Sequence, residues 1–280
     1  MNWNNRLFYN RHKIYLSHVA VDTIKQLMET LLAPEGDPHW TRPLALYLDR
    51  DPTHAVYSDA SYGGLGGWSA DFSFFWRLQR EDLIQHGFDM KIVDKARTEP
   101  VDPASSGLHI NPLEFVAALL NLWITLWTVE HSNPMDGGFV IQLNSDNTTA
   151  LSWMSVAART PDPTLQGLAR VGSAFLVKAA TLLTKVLPVH HPGNQNLLAD
   201  ALSRPQEYSM DYVIDKWSQV QTYRRCQFPS KLLRRLASLI LSRQTGVQYE
   251  ALTTELLTQG PRFLSNGAMS LTCLSNTYDN

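Results

Sequence analysis

Cysteine is nearly absent from this sequence: its 280 residues include only Cys226 and Cys273. Two thiols without metal-ligand spacing exclude both a multi-bridge disulfide scaffold and a cysteine-based zinc module. An excess of either charge is missing as well. Lys and Arg total 24 against 26 Asp and Glu, a net charge of −2, so no overall field favours a polyanionic partner and any nucleic-acid site must be local. There is no basic-then-apolar signal segment at the start, and a reducing intracellular compartment is the expectation. No internal repeat or low-complexity tract is present, which argues against a solenoid. Apolar runs long enough to span a bilayer are lacking too. The longest, Phe115–Val129 (FVAALLNLWITLWTV), has 15 residues, whereas a span takes roughly 20. It contains Asn121 and begins just after Glu114, which predicts a core helix packed on a sheet and no membrane association.

What is there suffices for a substantial core, since 44% of the residues are hydrophobic. Ser17 caps a segment in which Val21, Ile24, Met28, Leu31 and Leu32 recur at helical spacing, predicting one amphipathic helix in residues 1–53. Three prolines then break the pattern, an extended LALYL comes next, and a domain boundary is read near Pro52. From residue 54, HAVYSDAS and the glycine-rich GGLGGWSADFSFFWRL predict three strands in an antiparallel meander. Residues 80–109 read as an insertion with one short helix around REDLIQHG, and the apolar helix starts at Pro112. GGFVIQLNSD and TKVLPVHH predict two further strands, with helices in NTTALSWMSVAA, TLQGLARVGSAFLVKAATLL and NLLADALSR. The expectation is an α/β domain over residues 54–208, its mixed five-stranded sheet made of three antiparallel strands and then parallel ones, flanked by helices. Residues 209–280 read as a helical tail. Between Pro205 and Arg243 it carries seven Lys or Arg against three acids, and PSKLLRRLASLILSR reads either as a cationic DNA-binding helix or as a helix packed on the main domain with its arginines solvated.

Four carboxylates fall where such a sheet collects chemistry. Asp59 ends the first strand at a glycine-rich turn, and a lone acid there is commonly a turn former. Glu114 lies in the first turn of the apolar helix after Asn111 and Pro112, where it also complements the helix dipole. Asp146 joins the fourth strand to the next helix and reads alternatively as an N-cap for the amides of Thr148 or Thr149. Asp200 stands four residues before Arg204, the spacing of a solvated ion pair. Crowded carboxylates repel one another and are stabilised by hard cations such as Mg²⁺ or Mn²⁺. Two such ions roughly 4 Å apart activate a water and stabilise the leaving oxygen of a phosphodiester.

The most specific motif is VHHPGNQNLLADALSR. His190 and His191 precede a Pro-Gly turn and can move a proton. Neighbouring histidines on a strand point to opposite faces, which argues against a zinc pair.

YSDAS with GGLGGW, INPLEF, NSDNTTALSW and HHPGNQNLLADALSR, in that order, resemble the ribonuclease H domains of retrotransposon reverse transcriptases, gypsy-type and above all DIRS-like. The likeness covers about residues 54–204. It implies a ribonuclease H-like fold, Asp59, Glu114, Asp146 and Asp200 as ligands of two Mg²⁺ or Mn²⁺ ions, and His190 as the mobile histidine, with His191 open for that role. Ser61, Asn147 and Thr148 are implied contacts to the backbone of an RNA–DNA hybrid. The segment before residue 54 is similar to the connection joining polymerase to nuclease in such elements, so the polymerase part of a reverse transcriptase is an implied partner. Polymerisation by this chain is not expected, because YLDRD at 47–51 has the wrong order for the polymerase signature of a tyrosine followed by paired aspartates. The implied activity is endonucleolytic cleavage of the hybrid's RNA strand. A catalytically idle hybrid-binding or assembly module is the alternative.

Overall fold

The computed structural model describes residues 49–88, 110–132, 138–156, 166–241, 258 and 260–264, together with the single helical position Lys25. Two compact units make up the chain, Met1–Pro43 and Leu44–Asn280, and the sheet with its flanking helices belongs to the second. Their division falls ahead of the boundary read near Pro52. Residues 49–53 are tied into the second unit: the Thr53 amide donates to the Val140 carbonyl at 2.8 Å, Thr53 Oγ1 accepts the Val140 amide at 3.0 Å, and Asp49 pairs with Lys185 at 3.6 Å. The helix expected after Ser17, apart from Lys25, and the segment LALYL lie outside the described residues.

In chain order the elements are β1 (His54–Ser61), β2 (Gly64–Ser69), β3 (Phe74–Gln79), α1 (Arg80–Gln85), α2 (Asn111–Glu130), β4 (Phe139–Ser145), α3 (Thr148–Val156), α4 (Gln166–Thr181), β5 (Thr184–His190), α5 (Leu197–Ser203), α6 (Met210–Lys216), a 3₁₀ turn (Ser218–Thr222), β6 (Arg224–Gln227), α7 (Ser230–Leu241) and β7 (Arg262–Leu264). They form an α/β fold around one mixed sheet in the order β5-β4-β1-β2-β3-β6-β7. β1, β2 and β3 are the antiparallel meander, and β4 and β5 continue from β1 in parallel. The expected count of five strands is corrected to seven among the described residues, because the tail adds β6 parallel to β3 and β7 antiparallel to β6. RRCQ and RFL are too short and too charged to show a two-residue alternation, and these two strands stand beside the helices of the expected helical tail. α1 is the short helix read at REDLIQHG, and residues 89–109 of the insertion lie outside the described ones.

Both faces of the sheet are covered, as β3 shows by alternation. Phe74 and Trp76 join the main core under α2, whereas Phe75 packs in a second cluster with Leu198, Ala201 and Leu202 of α5 and Val213 of α6. The glycines of β2 let both helices approach. A Cβ on Gly66 would collide with Leu202 of α5, and one on Gly67 with the Asn121 side chain of α2. α7 sends Leu232, Leu233, Leu236 and Ala237 into the main core while Lys231 and Arg234 stay exposed. The basic helix of the tail is therefore a packing helix with a solvated cationic face.

α2 has 20 residues and is long and apolar enough to cross a membrane, so length does not separate the two readings of it. Burial does: nearly all of its circumference is enclosed, including Asn121 and Thr125. Asn121 links three elements by accepting from Trp76 Nε1 of β3 and donating to the Tyr57 carbonyl of β1, each at 2.6 Å. Removing it leaves a buried indole N–H without a partner. Asn121→Leu is expected to lower unfolding stability by about 2–3 kcal/mol in urea titrations. A change within about 0.5 kcal/mol would show that this bridge contributes little.

Candidate metal centre

Parallel pairing of β1 with β4 brings their C-terminal ends side by side, and the start of α2 lies against them. Asp59 is paired with Gly66 inside β1, which runs on to Ser61, so it is not the strand-end turn acid that the sequence suggests. Asp146 directly succeeds β4. One carboxylate oxygen from each of Asp59, Glu114 and Asp146 lies within 4.8 Å of the others. Asp59 and Glu114 are each only 4% exposed, and Asp146 is half-buried.

Asp146 is available for this group because its neighbour caps α3. Asn147 Oδ1 accepts the Ala150 amide at 2.9 Å, and its Nδ2 donates to Asn111 Oδ1 at 2.8 Å, fastening the start of α3 to the start of α2. The N-cap alternative for Asp146 is thereby set aside. Glu114 accepts from the Ala60 amide and the Ser145 hydroxyl. Its Oε2 is buried without any partner.

Electrostatics reflect the crowding. Burial pushes the Asp59 carboxyl up to about 7; the Ser203 hydroxyl that donates to it pulls the other way, and the charges of Asp146 and Asp200 add to the rise. Burial, then Asp59 and Asp146, hold Glu114 well above the usual range. Asp146 is raised by burial and by Asp200, against the lowering influence of His190. Three acids in this state resist ionising together unless a cation joins them. An all-oxygen donor set with an unsatisfied buried oxygen fits a hard divalent ion and argues against zinc.

Asp200 stands outside the 4.8 Å group, although its charge reaches Asp59 and Asp146. Its Oδ1 accepts from Arg204 Nε at 2.8 Å and pairs with Nη2 at 2.7 Å, so the i,i+4 pair read from the sequence is present. His190 is exposed at the end of β5, paired in register with Ser145. His191 is half-buried with its ring edge-on to Tyr57 at 5.2 Å. The turn after them closes over Asp146, since a Cβ on Gly193 would lie 2.8 Å from Asp146 Oδ2. Of the three expected substrate contacts, Ser61 donates to the Ser203 carbonyl at 2.6 Å, Asn147 is the cap described above, and Thr148 is exposed at the start of α3.

Comparisons with protein-family models, curated proteins and solved structures give no match. Geometry and chemistry carry the functional reading.

Three residues that position this site escaped the reading of the sequence. Arg77 of β3 donates to the carbonyls of Leu202 (Nε, 2.9 Å), Tyr208 (Nη1, 2.9 Å) and Ala201 (Nη2, 2.7 Å), fixing the end of α5. Its signal was an arginine inside the apolar strand FFWRLQ, where a charge needs partners. Asn196 Nδ2 donates to the Ser58 carbonyl at 3.0 Å, anchoring the start of the same helix to β1. Ser203 donates to Asp59. Spacing gives a partial signal for Ser203, since it lies three residues beyond Asp200 on one helix face.

Proposed function

We propose that this chain is a two-metal endonuclease of the ribonuclease H type that cuts the RNA strand of RNA–DNA hybrids as part of a retroelement reverse transcriptase. One observation carries the reading: a buried Asp59–Glu114–Asp146 cluster with an orphaned carboxylate oxygen, sited where two parallel strands end beside a helix start. The arrangement of β1 to β5 is compatible with a ribonuclease H-like fold, with β6 and β7 as additions beyond β3.

Asp59, Glu114 and Asp146 together with Asp200 are the residues to hold two Mg²⁺ or Mn²⁺ ions. Bound there, such ions supply an activated water and stabilise the leaving oxygen of a phosphodiester. His190, exposed beside Asp146, delivers a proton to the departing 3′-oxygen. Thr148, at the exposed start of α3, offers a hydroxyl and a backbone amide to the sugar-phosphate chain. Recognition rests on minor-groove shape and 2′-hydroxyls, so sequence preference is weak.

Purified protein and a labelled hybrid test this. The expected result is cutting of the RNA strand with Mg²⁺ or Mn²⁺, leaving 5′-phosphate and 3′-hydroxyl ends, with none in chelator. Asp146→Asn is expected to cut roughly 10²-fold more slowly, having lost one charge at the centre. Equal cutting by that variant would remove Asp146 from the site. Salt-sensitive hybrid binding without cutting at any Mg²⁺ or Mn²⁺ concentration would identify an idle binding module instead.

A further inference from the structure

The Arg204–Asp200 pair bears on how the metal centre fills, an inference that rests on the metal-binding reading above. Arg204 places both Nε and Nη2 on a single oxygen of Asp200, Oδ1, at 2.8 and 2.7 Å. A second acid, Glu207, lies 3.8 Å from Nη1 of the same guanidinium. α5 itself is pinned by Asn196 at its start and by Arg77 at its end, so the backbone of Asp200 is fixed and its carboxylate moves only by side-chain rotation. Neither member of the pair is enclosed, with 42% of the Arg204 side chain and 31% of that of Asp200 exposed. Ion pairs this exposed are individually weak and exchange readily. The positive charge also reaches the acids of the triad, favouring the ionised forms of Asp59 and Asp146.

We propose that Arg204 is a built-in counter-cation that competes with the second metal ion for Asp200. The centre then loads in two unequal steps. A first ion takes Asp59, Glu114 and Asp146, which already lie together. The second then binds Asp200 in competition with Arg204, whose guanidinium has Glu207 as an alternative partner, so the pair sets the divalent-ion concentration at which the site is complete.

Titration of the full chain with Mn²⁺, by calorimetry and by electron paramagnetic resonance of free Mn²⁺, tests this without reference to activity. Two affinity classes are expected in the wild type, and Asp200→Asn loses the weaker. Arg204→Gln removes the competing charge and should tighten the weaker class by about tenfold while leaving the stronger within about twofold. Arg204→Lys, which keeps the charge, should stay near wild type. Glu207→Gln removes the alternative partner and should loosen the weaker class by roughly threefold. An unchanged or loosened weaker class in Arg204→Gln would overturn the proposal, as would a single affinity class in the wild type. No saturable Mn²⁺ binding by the wild type would instead overturn the metal centre itself.

Discussion

Glu114→Gln should yield a protein that is more stable than the wild type in chelator and nearly devoid of cleavage activity. The stability gain comes from the surroundings of Glu114, which is 4% exposed, has one oxygen without a partner and faces two further acids. A glutamine keeps the oxygen that accepts from the Ala60 amide and the Ser145 hydroxyl, and it turns an N–H₂ toward Asp59 and Asp146 in place of a third carboxylate. Removing a charge from so dry and crowded a position is expected to stabilise the metal-free fold by roughly 1–3 kcal/mol at pH 8. The same change takes a negative oxygen from the centre of the ligand set, and the cut rate at saturating Mg²⁺ should fall at least ~10³-fold. Denaturant unfolding in chelator and single-turnover cleavage measure the two effects. A variant that is both less stable and fully active would mean that the Glu114 carboxylate serves the fold and not the chemistry.

That trade of stability for ligand charge was only half legible in the sequence. The apolar run after Glu114 announces a buried helix, and a carboxylate at its start is then bound to sit at the rim of the core. Asp59 and Asp146 could be placed near it from the strand pattern alone. What the one-dimensional pattern could not supply was the choice between neighbours. Asp146 and Asn147 are both good N-cap residues, and only the bond from Asn147 to Asn111 across two helices decides that the asparagine caps and the aspartate is left for the site. Asp200 shows the opposite limit, because its spacing to Arg204 is visible but its separation from the triad is a matter of three-dimensional placement. β6 and β7 were invisible for a further reason: strands of four and three residues on the far side of β3 owe their pairing to a ready-made edge, not to any periodicity of their own.

Metal-free protein should lose stability as pH rises from about 4 through 7, the reverse of ordinary acid denaturation, and divalent ions should cancel the loss. In the unfolded chain Asp59 titrates near its usual 3.8, whereas in the folded protein burial and its acidic neighbours carry it to about 7. The folded state therefore binds more protons across that interval, and the stability from this group, complete below about pH 4, disappears as pH passes through 7. At about 1.4 kcal/mol for each pH unit, the span corresponds to roughly 4 kcal/mol for Asp59 alone. Glu114 and Asp146 are raised as well, so they act in the same direction as Asp59. A divalent ion bound among the three stabilises their ionised forms, and the midpoint of unfolding with Mg²⁺ or Mn²⁺ should rise most at pH 8 and least at pH 5. Thermal melts at pH 5, 6, 7 and 8 with and without metal read this directly. A flat metal-free profile, or an equal gain from metal at pH 5 and pH 8, would mean that the three carboxylates share neither protons nor an ion, and the centre would lose its physical basis.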